Sequence, residues 1–253
     1  MAGIGFELYK ILHKGTLSSI VQAFFLGMII VAGPWILSVL TIYIIQTYTF
    51  GAIANNPALF TVSIVYVYAF SLFLSGGFHY VFSRYIADQL YIENYETIPT
   101  ALLTAIIIIT ILSILPALAF VCFNDFSFIQ FQTLYILSLV SLFVVINILW
   151  IMLVYIALLK AYYKIFFSYL AGTIASIYGV LYLGKLYGVA GALCGYTIGQ
   201  AVIVLLLITI SQFAYPLKKF VVNKEFIASF KEHKRIFLMG CFFNMAIWSD
   251  KML

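Results

Sequence analysis

Charge is what this sequence has least of: 8% of its 253 residues are Asp, Glu, Lys or Arg, and the stretch from Gly15 to Ser83 contains none. That scarcity excludes a soluble fold. With 65% hydrophobic residues and a mean hydropathy of +1.15, the chain carries more apolar surface than a soluble domain can bury. Cysteine is also scarce. Cys122, Cys194 and Cys241 are odd in number and far apart, so they form neither a disulfide framework nor a metal-ligand cluster. No metal cluster, phosphate-binding Gly-rich loop or nucleophile paired with a base is present, which argues against an enzyme and implies no cofactor. No cleavable signal peptide is expected, because the first apolar run is about twice the length of a signal peptide's apolar region. Acidic residues are few, 8 against 13 Lys and Arg, which leaves a net charge of +5. The basic residues lie in short segments between apolar runs, where they act as topology signals, and no nucleic-acid site is read from them.

What is there is a series of long apolar runs. A bilayer core takes about 20 apolar helical residues, and spans are predicted near 18–49, 58–83, 100–123, 131–159, 165–184, 187–212 and 236–253, the last cut off. The fold expected is all-α, a polytopic membrane protein. Asn55-Asn56-Pro57 makes a turn before the second span, Pro99 suits the first turn of the third, and Asn124-Asp125 closes it. With the N-terminus inside, eleven Lys and Arg fall on the inner side (Lys10, Lys14, Arg84, Lys160, Lys164, Lys218, Lys219, Lys224, Lys231, Lys234, Arg235) and Lys185 alone on the outer. That bias predicts a cytoplasmic N-terminus. Two segments have an amphipathic pattern. In "GIGFELYKILHK", Ile4, Leu8, Ile11 and Leu12 oppose Glu7, Lys10 and Lys14; in "KEFIASFKEHKR", Phe226, Ile227 and Phe230 oppose Lys224, Lys231 and Lys234. Each is either a basic topogenic flank or a helix that couples or gates.

Several residues are candidates for function. Gly33-Pro34-Trp35 interrupts the first span: Pro34 removes a backbone hydrogen bond and crowds the carbonyl of Ile30, giving a packing kink or a moving hinge. Gly191, Gly195 and Gly199 recur every four residues and form a flat stripe for close helix packing. Arg84 and Asp88, four apart at the inner end of the second span, pair on the helix surface or meet substrate at a pore mouth. His79, about a turn deeper, is a hydrogen-bonded structural histidine or part of a proton relay. Asp250 and Lys251 differ from these in being charges inside an apolar run. Such charges cost about 2.5 to 3.5 kcal/mol near a helix centre. Neighbours on a helix point about 100° apart, so at least one needs a partner from another helix, water or substrate. Asp250 should lie about 21 Å into its span and Pro34 about 24 Å into the first, at similar depth. A buried ion pair is the alternative to a place on a transport path.

Together, "MAGIGFELYKIL", the "GPW" of the first span, "SRYIADQLY", "SYLAGTIASIYGVLYLGKLYGVAGALCGYTIGQAVIVLLL" and "IWSDK" give the whole chain a likeness. It resembles the inner-membrane exporters of the Pel exopolysaccharide system, within the multidrug/oligosaccharidyl-lipid/polysaccharide exporter superfamily. The resemblance implies a MATE-like transporter of two six-helix bundles around a cavity. This chain would then hold a six-helix bundle plus a truncated seventh transmembrane helix. The implied divisions are an interfacial helix at 1–16, the first bundle at 17–212, a basic cytoplasmic linker at 213–235 and the start of a second bundle at 236–253. The implied setting is a bacterial cytoplasmic membrane, the implied substrate a polysaccharide, and the implied partners a cytoplasmic glycosyltransferase and other Pel membrane subunits. Hydropathy and glycine spacing alone fit a lipid-linked oligosaccharide flippase or a cation-coupled multidrug exporter equally well.

Overall fold

The structure, a computed structural model, describes His13, residues 16–49 and residues 57–252. Every regular element among them is a helix. In chain order these are α1 (Leu17–Thr49), α2 (Pro57–Tyr91), α3 (Thr97–Phe123), α4 (Gln132–Leu158), α5 (Tyr162–Ala214), α6 (Lys224–Glu232) and α7 (Lys234–Met252). Four of them, α2 to α5, are long and apolar enough to cross a membrane. Helix is what such segments must form, because hydrocarbon offers the peptide groups no other partner. Several hydroxyls of the bundle are satisfied the same way: Thr41, Ser63, Ser75, Ser113 and Ser138 each donate to the carbonyl four residues back, at 2.6 to 2.7 Å.

The elements follow the apolar runs with two differences. Helix α2 continues eight residues past the predicted end at 83, carrying Arg84 and Asp88 on its last turns. The predicted spans 165–184 and 187–212 are the two arms of α5, which folds back where Tyr187 (φ −126°, ψ 15°) and Gly188 (φ 58°, ψ −137°) leave helical geometry. That Gly188 backbone is all but closed to a residue with a Cβ. The arms then lie antiparallel in close contact. A methyl group added at Gly179 would sit 2.8 Å from the Gly195 carbonyl oxygen, and one at Gly199 would sit 2.6 Å from the Ser176 nitrogen.

Helix α4 occupies the middle, packed against α2, α3 and α5, while α1 lies on α5 and α7 on α2. The α2–α7 seam is again built on small residues. A methyl at Gly77 would meet the Phe237 carbonyl oxygen at 2.5 Å, and one at Gly240 would meet the Tyr80 ring at 2.6 Å. Between helices in lipid, close packing replaces the removal of apolar surface from water as the source of association. Segments 1–12 and 50–56, with the first amphipathic pattern and the Asn55-Asn56 turn, lie outside the described residues.

The second amphipathic segment is α6. Asn223 caps it by accepting from the Phe226 N–H at 2.9 Å, and the Asn223 N–H donates to Thr104 Oγ1 at 2.8 Å. Phe226 is fully buried among the rings of Phe78, Phe82, Tyr85 and Phe230. The apolar face of α6 is therefore covered by α2, with Phe237 of α7 against Phe230. Ile227, expected on that face, is exposed, and Ser229 takes the buried place. The face turns through Asn223, Phe226, Ser229 and Phe230, which the apolar spacing alone does not reveal.

Candidate functional site

A seam of polar and aromatic groups runs through the otherwise apolar bundle where α2, α4 and α5 meet. Tyr68, Ser71, Ser75 and His79 recur at intervals of three and four, so they share one face of α2. Asn147 and Trp150 do the same on α4, and Tyr196 and Gln200 on the second arm of α5. The Tyr68 hydroxyl lies 3.2 Å from that of Tyr196 and donates to Gln200 Oε1 at 3.3 Å. Trp150 Nε1 donates to Ser71 Oγ at 2.9 Å, and Ser71 donates to the Tyr68 carbonyl. The rings of Tyr68 and Trp150 meet edge to face at 6.3 Å. A further buried hydroxyl pair, Thr41 to Thr173 at 3.0 Å, joins α1 to the first arm of α5.

His79 closes the seam at the end nearer the C-terminus of α2, its ring 6.4 Å from that of Trp150 at an angle of 62°. Its Nε2 is buried without a hydrogen-bond partner among the described residues, as are Asn147 Oδ1, Tyr155 Oη and Ser176 Oγ. The spacing of Tyr68, Trp150 and Gln200 carries the rest of the seam, but in a chain with 19 Tyr and 24 Phe such spacing is not distinctive.

The other candidates lie apart from this seam. Arg84 Nε and Asp88 Oδ2 pair at 3.0 Å, both about half exposed, along the surface of α2. Helix α1 runs through Pro34, whose carbonyl accepts from the Ser38 hydroxyl at 2.9 Å, and Gly33 is buried beside it. The side chain of Trp35 falls outside the described residues. So do those of Asp250 and Lys251, although the backbone of α7 is helical through both. Gly191, Gly195 and Gly199 face the first arm of α5, at Leu183, Gly179 and Ser176.

The basic residues gather at one pole. Lys160, Lys164, Lys218, Lys219, Lys224, Lys231, Lys234 and Arg235 join helix ends at the pole where α2 finishes and α3 begins, whereas the opposite pole holds Asp125 and Lys185. The Ser127 N–H and hydroxyl, each donating at 2.9 Å, hold the Asp125 carboxyl below its usual range. Near that pole α2, α3 and α4 border an open apolar pocket of about 790 Å³, with Tyr66, Phe70, Phe120 and Phe143 among its walls. Among the described residues no group of three His, Cys, Asp or Glu is placed to hold a metal ion.

Comparison with known proteins gives one match. The model of a family described as "PelG: Putative exopolysaccharide Exporter (EPS-E)" covers residues 1–253, the whole chain. No curated protein and no solved structure matches.

Proposed function

The chain belongs to the PelG family of exopolysaccharide exporters, and from that premise we propose that it moves an exopolysaccharide across the cytoplasmic membrane, by alternating access or through a channel-like path. The observation that carries the reading is the family match over the entire chain; four long apolar helices and a polar seam between them are consistent with it. The translocation path in this proposal borders α1, α2 and α7, with Arg84 and Asp88 at its mouth, His79 deeper, and Asp250 and Lys251 contacting or gating the polymer. Intramembrane charges are costly and are kept where they serve a path or a partner. Gly33, Pro34 and Trp35 form its hinge, because a proline inside a long helix leaves a carbonyl free and weakens resistance to bending. The polymer arrives from a cytoplasmic glycosyltransferase working beside other Pel membrane subunits. A polysaccharide leaving its synthase presents hydroxyls, which aromatic and amide side chains bind by stacking and hydrogen bonding.

The test is polymer secretion per molecule of protein for Asp250→Asn, Lys251→Gln and the double variant. The reading expects each to secrete less at equal abundance. A buried ion pair expects something else: low abundance for each single variant and recovery in the double. Normal secretion per molecule in all three would reject the path. A second reading, a lipid-linked oligosaccharide flippase, is favoured by the open apolar pocket bordered by α2, α3 and α4. It expects a polyprenyl-linked sugar to co-purify with the protein.

A further inference from the structure

We infer that His79 is a proton-binding site inside the bundle, and that its charge state is relayed through Trp150 and Tyr68 to α5. The inference is independent of what the protein transports. The chain has three histidines: His13 precedes α1, His233 lies between α6 and α7, and only His79 sits within a bundle helix. An imidazole is the side chain whose charge changes most readily near neutral pH. Here one of its nitrogens is buried with no partner among the described residues. An orphaned polar atom is costly in an apolar interior, and an ionisable group kept there is a functional site by default.

The surroundings suit a group that alternates between neutral and charged. The indole of Trp150, 6.4 Å away, offers an aromatic ring to an imidazolium. Asn147 Oδ1, one turn before Trp150 on the same face of α4, is an acceptor that also lacks a partner. On protonation both imidazole nitrogens become donors, and an unused carbonyl oxygen is the complement they require. Among the described residues no charged side chain acts on His79. The groups that can titrate within the bundle on the helices packed against α2 include Tyr135 and Tyr155 of α4, Tyr169, Cys194 and Tyr196 of α5, Cys122 of α3 and Cys241 of α7, while Lys164, Lys185, Lys234 and Arg235 lie at helix ends or at the bend of α5. The charges of α6 (Lys224, Glu225, Lys231, Glu232) belong to its polar face, while its apolar residues Phe226 and Phe230 meet Phe78. On α2 itself Arg84 and Asp88 pair with each other, and Tyr66, Tyr68, Tyr80, Tyr85 and Tyr91 complete the set. The side chains of Asp250 and Lys251 on α7 are outside the described residues.

The relay follows from contacts already described. A charge on His79 acts on the Trp150 ring. That ring is held by its Nε1 bond to Ser71 and by the edge of Tyr68, and the Tyr68 hydroxyl ends on Tyr196 and Gln200. Proton binding at α2 thus alters a chain of contacts that spans three helices.

The test is nitrogen NMR of the full chain in lipid nanodiscs, with labelled His and Trp, over about pH 4 to 8. Three histidines and three tryptophans make assignment simple: His13→Gln and His233→Gln remove the other imidazoles, and Trp35→Phe and Trp248→Phe the other indoles. The expected result is a reversible change of the His79 ring nitrogens from neutral to imidazolium values, with the Trp150 Nε1 signal moving at the same midpoint. His79→Gln should abolish the Trp150 movement, and Asn147→Leu should lower the midpoint. His79→Phe provides a second variant should His79→Gln fail to give helical, monodisperse protein. A His79 ring that stays neutral throughout would overturn the inference. So would a Trp150 signal that ignores the His79 titration, or one that still moves in the His79 variants.

Discussion

At the scale of single residues, Asn223 makes the most connections of any polar side chain at its pole. It caps α6, its backbone N–H reaches Thr104, and its Nδ2 lies 3.3 to 3.4 Å from Tyr85 Oη, Thr100 Oγ1 and the Thr97 carbonyl. An amide has two N–H donors, so it serves two of those three at a time. Asn223→Ala removes the cap, worth about 1 kcal/mol, and leaves buried partners unsatisfied, at about 1 to 3 kcal/mol more. The expected outcome is a lower midpoint of thermal unfolding in detergent, with Asn223→Asp between the two because it keeps the cap alone. An unchanged midpoint for Asn223→Ala would show that α6 is held by Phe226 without it. Arg84 and Asp88 lie at the other extreme. Their exposed pair contributes at most about 1 kcal/mol, so Arg84→Gln and Asp88→Asn should leave abundance in the membrane unchanged. Any loss of secretion per molecule in them then reports on substrate and not on folding.

At the scale of elements, the two arms of α5 make a sharp prediction. A Cβ at Gly195 would overlap the backbone of Gly179 and Val180, whereas one at Gly184 would rest 3.5 Å from the Ala192 Cβ, an ordinary contact. Gly195→Ala should therefore destabilise by about 1 to 3 kcal/mol. Gly184→Ala should be neutral or stabilise by about 0.4 to 1 kcal/mol, because it restrains the unfolded chain. Unfolding midpoints of the two variants check this, and equal midpoints would contradict the packing described. Element positions were largely legible in the sequence, because uncharged runs longer than a bilayer leave few choices but helix. The four-residue glycine spacing is equally visible. Its partner, the facing arm with Gly172, Ser176 and Gly179, is not, since nothing in a stripe of small residues says what it will touch. The far end of α2 lies beyond the predicted membrane span because Arg84 and Asp88 end the apolar run, while the helix on whose surface they pair continues into the polar region. The seam of Tyr68, Trp150 and Gln200 was hidden for a different reason: aromatic residues at helical spacing occur throughout this chain.

At the scale of the whole molecule, the account rests on orientation and on transport. The separation of basic residues to one pole predicts that this pole faces the cytoplasm. A reporter fused after Asn124 should read as external and one fused after Asn223 as cytoplasmic. The reverse would invert the inner and outer ends assigned to every helix, and with them the side from which polymer enters. Transport itself is tested most directly by extracellular exopolysaccharide in cells whose synthase is intact and whose copy of this gene is removed and then restored. The account predicts that extracellular polymer is lost on removal and returns on restoration. Normal extracellular polymer in the absence of the protein would contradict it.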